Sequence, residues 1–178
     1  HRVDRRQRQM CIRDSFWLFA FNINANAQDD KSKRPSPPQE TKFTVGTATI
    51  TINYGAPSVK GREIWGKLVP YGQVWRTGAN EATTFETTAD VKIEGKPLPK
   101  GKYALFTIPG KDEWVIIFNK NANQWGAYNY KEADDVLRVK VRPGLAETFQ
   151  EQLKFVGHVD GSVSILWEKL EVIFTVSQ

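Results

Sequence analysis

Hydrophobic and polar residues alternate with a period of two along most of the chain from residue 43 onward. In residues 48–54 the apolar side chains occupy every second position, and in a predicted strand at 136–142 Leu137, Val139 and Val141 alternate with arginine and lysine. This period places successive side chains on opposite faces of a β-strand. The alternation slips by one residue at Gly46, which predicts a turn or bulge there.

Short strands with turn signals between them recur along the remainder of the chain. They are predicted at residues 83–87, 91–94, 103–108, 113–119, 152–156, 162–167 and 170–176. Hairpin loops are predicted at 94–96 and 109–112. The continuous apolar run 115–118 predicts a strand that is buried on both faces. This spacing favours an all-β fold, a β-sandwich or jelly-roll-like barrel of roughly eight to ten short strands.

Helix is predicted in only two places. Residues 132–135 can form one turn, and residues 145–151 can form two turns after Pro143-Gly144. Neither segment is long enough to form a helical layer.

Composition favours one ordinary globular domain, because the chain has 178 residues, 40% of them hydrophobic and 25% charged. The formal net charge of +5 is concentrated at the N-terminus: residues 1–27 hold five basic and two acidic residues, which leaves +2 for the rest. A nearly neutral domain gives no electrostatic signature of nucleic-acid binding. We therefore predict a single domain at 42–178 and no nucleic-acid partner.

The N-terminal segment is predicted to direct export. The apolar run Phe16–Phe21 is followed by Ala25-Asn-Ala27, a pattern that signal peptidase cleaves. The run is too short to span a membrane. Residues 6–15 resemble a translated sequencing adapter and are not expected to belong to the folded domain. Residues 28–41 are polar and proline-rich, which predicts a linker, and we expect a periplasmic or envelope-associated domain.

Metal, cofactor and triad chemistry find little support in the sequence. Cys11 is the only cysteine, and it precedes the predicted cleavage site, so disulfides and thiolate catalysis are excluded from the mature domain. His158 is the only histidine after the first residue, which argues against a zinc or copper site. No phosphate-binding glycine loop and no nucleophile elbow occur. We predict no metal and no cofactor.

Residues 69–86 hold the candidate site, because Arg76, Asn80 and Glu81 lie together between predicted strands. If Phe85 points into the core, the period of two places Thr83 and Glu81 on the same inner side. We expect Arg76 to pair with Glu81 or with an anionic ligand group. The structural alternative is that the two residues only clamp the turn.

Further candidates flank this stretch. Lys60 and Arg62 lie in a glycine-containing loop, where solvated cations are the more usual case. Aromatic residues lie in the same stretch and in a second loop: Tyr71, Trp75, Trp125 and Tyr128. Such rings suit stacking on sugar rings, and they equally suit core packing.

Six motifs resemble those of a bacterial family of exported proteins, domain of unknown function family 2911, which is frequent in Bacteroidota. They are found at residues 58–62, 68–84, 106–110, 114–120, 125–128 and 136–141. The resemblance covers about residues 43–176. It implies export and a β-rich fold, and it implies no established activity.

Two functional hypotheses follow. The first is an exported β-sandwich that binds a small polar ligand such as a saccharide through residues 69–86. The second is a small exported enzyme acting on a sugar or other polar molecule, with Glu81 as acid or base and Arg76 orienting it. An ordinary glycosidase needs a second facing carboxylate. Glu63 and Glu86 are the candidates, and Glu86 is expected to point away from Glu81.

Overall fold

The computed structural model describes residues 31–178. The predicted signal sequence, the adapter-like segment and Cys11 lie outside the described residues. No helix within residues 31–178 is long and apolar enough to cross a membrane.

The described chain forms ten β-strands and two single 3₁₀ turns, Lys31–Lys33 and Glu132–Asp134. The strands are β1 Pro38–Val45, β2 Ala48–Gly55, β3 Thr84–Thr87, β4 Val91–Ile93, β5 Lys96–Leu98, β6 Gly101–Ile108, β7 Trp114–Asn119, β8 Asp135–Val141, β9 Pro143–Gly157 and β10 Ser162–Ser177. They form a six-stranded sheet in the order β1-β2-β3-β6-β7-β8 and a four-stranded sheet in the order β5-β4-β10-β9. All pairings are antiparallel. The prediction of an all-β sandwich is confirmed.

The two sheets approach each other along both edges. At one edge the Thr41 hydroxyl of β1 donates a hydrogen bond of 2.9 Å to the Phe155 carbonyl of β9. At the other edge Lys96 of β5 lies 3.4 Å from the Arg138 carbonyl of β8. The sandwich is therefore closed by side chains at its edges.

The main core lies between the sheets. Alternate residues of each strand enter it, as in β2, where Ala48, Ile50, Ile52 and Tyr54 are buried. The largest fully buried side chains are Trp114, Trp167 and several phenylalanines. The alternation in the sequence therefore identifies the inward face correctly.

A second, smaller core covers the outer face of the six-stranded sheet. Ala104 and Phe106 of β6 and Ile117 of β7 are buried there, under side chains such as Val74 and Tyr130 from two loops. This burial explains the continuous apolar run in β7, and the prediction that both of its faces are covered is confirmed. The same packing holds the two loops that carry the candidate site.

The predicted two-turn helix at 145–151 is wrong, since these residues belong to β9 and pair with β10. Leu145 is 85% exposed and Phe149 is 51% exposed, so the apolar residues of this segment do not face a core. Strand pairing with a long neighbour outweighs the local helical preference.

Two strand boundaries also differ from the prediction. Residues 162–167 and 170–176 form one strand, β10, with an irregularity at Glu168, where φ is +59°. A bulge continues the strand while shifting its register. Strand β1 begins at Pro38, inside the segment that the sequence assigns to the linker.

Candidate functional site

The candidate site is built on a loop whose two ends are hydrogen-bonded to β6. Trp75 exchanges two backbone hydrogen bonds with Thr107, and Leu105 N donates to Thr83 O at 2.7 Å. The loop therefore occupies the side of β6 that the short strand β3 leaves unpaired. A bond of 3.2 Å from Thr83 N to Arg76 O closes this segment, so residues 77–82 form a compact loop, which we call the site loop.

Unfavourable backbone angles within this loop are held by buried hydrogen bonds. Thr77 has φ of +54° and Asn80 has φ of +63°. The angle is costly for a β-branched residue such as Thr77. Thr83, fully buried, donates from its hydroxyl to Thr77 O at 2.9 Å, and Thr77 lies 3.1 Å from the Thr107 hydroxyl. Local strain held by its surroundings is a recurrent property of binding loops.

Glu81 pairs with the N-terminal segment rather than with Arg76. Both of its carboxylate oxygens accept from Arg34 Nη1, at 3.1 and 3.0 Å, and Lys31 Nζ lies 3.0 Å from Oε1. The Glu81 side chain is 44% exposed. The predicted Arg76–Glu81 pair is therefore wrong, and Glu81 lies at the rim of the loop rather than in line with buried Thr83. The strand does not begin until Thr84, so the period of two does not extend back to Glu81.

The pKa of Glu81 is held below its ordinary value. Partial burial raises the pKa, but hydrogen bonds from its own backbone N–H and from Lys31 and Arg34 lower it and prevail. The carboxylate is ionised at neutral pH.

Two cavities flank Glu81 and share Glu81, Ala82 and Thr84 in their walls. The first, of about 260 Å³, is lined also by Lys31, Arg34, Pro38, Gln39, Asn53, Tyr54, Gly55 and Asn80. The second, of about 310 Å³, is lined also by Lys102, Ala122, Asn123, Gln124 and Trp125. We call the two cavities together the Glu81 groove.

Two buried polar atoms in the wall of the groove have no hydrogen-bond partner. They are Oγ1 of Thr84 and Oε1 of Gln124, and Gln124 is only 7% exposed. The amide of Gln124 is fixed by bonds from its Nε2 to the backbone carbonyl of Asn121 at 2.7 Å and to Asn119. Buried polar groups are normally satisfied, and both atoms lack the partner that such groups usually have.

Trp125 stands at the mouth of the groove and is 54% exposed. Its loop is aligned with the site loop by backbone bonds from Ala82 N to Gln124 O at 2.9 Å and from Gly126 N to Asn80 O at 3.0 Å. The guanidinium of Arg34 lies 5.9 Å from the centre of the Trp125 ring. Trp125, Asn80 and Glu81, all proposed from the sequence, are therefore brought together.

A hydrogen-bonded cluster anchors the Trp125 loop to the sheet. Asp135 Oδ2 accepts from the Tyr130 hydroxyl at 2.6 Å and from Arg138 Nε at 2.7 Å. Asp135 Oδ1 accepts from Asn119 at 2.8 Å. Burial, followed by the bond to Asp135, raises the pKa of Tyr130 to about 12.

We expect Tyr130→Phe to lower the free energy of unfolding at pH 8 by about 1–2 kcal/mol, because a hydroxyl with charged partners is lost. The native pKa of Tyr130 lies above the ordinary value of 10.0, so this stabilisation is complete below pH 10 and is lost as pH rises through about 12. Urea unfolding of both proteins at pH 8 and near pH 11.5 measures the difference. Tyr128→Phe is the matched control, since Tyr128 is 82% exposed. A Tyr130→Phe deficit that is equal at both pH values would contradict this account.

Other residues proposed from the sequence do not line the groove. Thr83 is fully buried and serves the loop backbone, and Tyr71 packs over Gly66. Lys60 is exposed, and its backbone N–H donates to Glu151 at 2.9 Å. Tyr128 projects outward from the Trp125 loop.

Trp75, Arg62 and Arg76 line a separate cavity of about 300 Å³ on the other side of the site loop. Asn80 lines both this cavity and the groove. The structure thus divides the residues predicted as one site between two cavities.

His158 lies 3.0 Å from the hydroxyl of Ser164. Ser164 is only 1% exposed, so this contact does not present a nucleophile to solvent. Within residues 31–178 no group of three histidine, cysteine, aspartate or glutamate residues is arranged to hold a metal ion.

Most of the residues that line the groove were not predicted from the sequence, among them the polar residues Lys31, Arg34, Thr84 and Gln124. The two cations lie in the segment interpreted as linker, and no local pattern indicates that it returns to the site. Gln124 precedes Trp125 in a loop already singled out, so its position beside an exposed aromatic was the available signal.

The fold and the groove define an all-β sandwich domain with a cavity formed by loops at the surface of one sheet and lined by both apolar and polar groups. Residues 36–176 match the family model described as "Protein of unknown function (DUF2911)". The match covers most of the chain, so the chain belongs to this family, as its motifs predicted. Comparisons with curated proteins and with solved structures find no match.

Proposed function

We propose that the protein binds a small polar ligand, a neutral saccharide, in the Glu81 groove. One observation carries the proposal: an exposed indole, Trp125, lies beside a half-exposed, ionised carboxylate, Glu81, and two unpartnered polar atoms in the same wall.

The chemistry of the groove matches that of a sugar ring. The flat face of Trp125 suits the C–H face of a pyranose. Arg34 and Lys31 hold the Glu81 carboxylate in place, and a carboxylate has further lone pairs that accept hydrogen bonds from sugar hydroxyl groups. Thr84 and Gln124 add an uncharged hydroxyl and an amide oxygen. Aromatic contact with a few fixed polar groups is the usual composition of a ligand site.

The number of carboxylates in the groove and the pKa of Glu81 favour binding over hydrolysis. Glu81 is the only carboxylate among the described residues that line the groove, whereas ordinary glycosidases use two. Its lowered pKa also opposes a role as general acid at neutral pH.

The test is isothermal titration calorimetry of the full chain with maltose, cellobiose, lactose and N,N′-diacetylchitobiose. We expect at least one disaccharide to bind. Trp125→Ala is expected to weaken that binding about 10-fold or more, because a stacking platform contributes about 1 kcal/mol or more in addition to buried area. Glu81→Gln keeps an acceptor oxygen, so its affinity is expected to stay within a few-fold.

Tyr128→Ala is the matched control. Tyr128 lies on the same loop and is more exposed than Trp125, but it does not line the groove. Equal losses in Tyr128→Ala and Trp125→Ala, or no binding of any of the four sugars, would refute the proposal. Turnover of a disaccharide that Glu81→Gln abolishes in a folded protein would establish the enzymatic hypothesis instead.

A further inference from the structure

Hydrogen-bond donors without acceptors are concentrated at one end of the main core. Four tryptophans meet there, with ring centres 5.3 to 6.4 Å apart: Trp65, Trp75, Trp114 and Trp167. The indole N–H groups of three of them, Trp65, Trp114 and Trp167, are buried and have no partner within residues 31–178. Most buried tryptophans find a partner for this group, so the region has a surplus of donors.

Arg76 adds a charge to this surplus. Its Nε is buried without a hydrogen-bond partner, and its guanidinium forms no hydrogen bond or ion pair with any described residue. A partly buried guanidinium without an anionic partner is costly. Its Nη1 lies under the Trp125 loop, 3.6 Å from the position that a Cβ at Gly126 would occupy.

A cavity of about 300 Å³, which we call the Arg76 pocket, is lined by Arg76 and by one of these three tryptophans, Trp167. Trp75 and Trp167 line it as a stacked pair, with rings 5.8 Å apart and inclined by 15°. Arg62 forms part of the rim, but its Nε and Nη2 already donate to the carbonyls of Val59 and Ser58. Both guanidinium groups are charged, but Arg76 has more donors that are not engaged by described residues.

We propose that the Arg76 pocket binds a small carboxylate whose remaining part is flat and apolar. The planar guanidinium suits a carboxylate, which it can engage with two parallel hydrogen bonds. The tryptophan pair, Leu68 and Val69 supply the apolar wall for the ligand body. The proposal does not depend on saccharide binding. Among the described residues, the Arg76 pocket and the Glu81 groove share only Asn80 in their walls.

The test compares phenylacetate with its neutral isostere phenylacetamide on the full chain. Binding is followed by the indole N–H signals in ¹H–¹⁵N correlation spectra, with the Trp167 signal assigned from Trp167→Phe. We expect phenylacetate to shift the Trp167 signal and to bind about 10-fold or more tightly than phenylacetamide, since only the anion receives charge-assisted bonds. Arg76→Gln is expected to remove this preference.

Arg76→Lys keeps the charge without the planar fork and is expected to bind phenylacetate several-fold more weakly than the unaltered protein. Trp125→Ala, which alters the Glu81 groove, is expected to leave phenylacetate binding unchanged. Equal affinities for phenylacetate and phenylacetamide in the unaltered protein would overturn the proposal, even if the Arg76 variants failed to fold. Absence of any indole shift with phenylacetate would overturn it equally.

Discussion

Gly55→Ala is expected to lower the free energy of unfolding by about 2–3 kcal/mol, within the range of overpacked cores. A Cβ at Gly55 would lie 2.2 Å from the backbone oxygen of Ala79. Backbone cannot rotate away as a side chain can, so β2 and the site loop must separate. The substitution would also weaken the bond of 3.1 Å from Ala79 N to Gly55 O. Urea unfolding at neutral pH measures the loss.

The same displacement is expected to reduce ligand binding, because Gly55 lines the Glu81 groove and Ala79 and Asn80 line the Arg76 pocket. Gly144→Ala is the matched control: its Cβ would meet only the Glu171 oxygen at 3.8 Å, an ordinary contact. We expect the free energy of unfolding of Gly144→Ala to lie within about 0.5 kcal/mol of that of the unaltered protein. If both variants lost equal stability, the close packing of β2 against the site loop would not be the cause.

The fold could be predicted from the sequence because one face of each sheet is buried. In β2 the period of two correctly predicts every residue that enters the core. The helix predicted at residues 145–151 is wrong because this segment has no buried face. Their apolar side chains, including Leu145 at 85% exposure, remain outside the core, so hydrophobic pattern carried no information about them. Only the pairing of β9 with β10, a long-range property, determines that segment.

The candidate site was predicted in part, since Asn80, Glu81 and Trp125 do meet. The partner of Glu81 could not be found from sequence, because Arg34 lies 47 positions away in a segment without any hydrophobic pattern. Arg76 is nearer along the chain, but the positive φ angles at Thr77 and Asn80 turn the loop between the two residues. Closeness in sequence therefore does not predict the partner of Glu81, because the backbone changes direction between Arg76 and Glu81.

Trp114→Ala is expected to lower the free energy of unfolding by about 3–5 kcal/mol, the cost of removing a large buried aromatic side chain. Trp114 is fully buried, and its ring lies 5.3 Å from Trp65 and 6.4 Å from Trp75. A loss of that size is a large share of the roughly 5–15 kcal/mol that stabilises an ordinary domain. Chemical unfolding followed by circular dichroism measures it without relying on tryptophan fluorescence.

Trp125→Ala provides the matched control, because it deletes the same side chain where it is 54% exposed. We expect it to change the unfolding free energy by no more than about 0.5 kcal/mol. The pair separates the two roles that tryptophan has in this chain: Trp114 stabilises the core, whereas Trp125 is proposed to contact ligand. A stability loss in Trp125→Ala comparable with that in Trp114→Ala would mean that Trp125 is needed for folding, and its exposure would then cease to support a binding role.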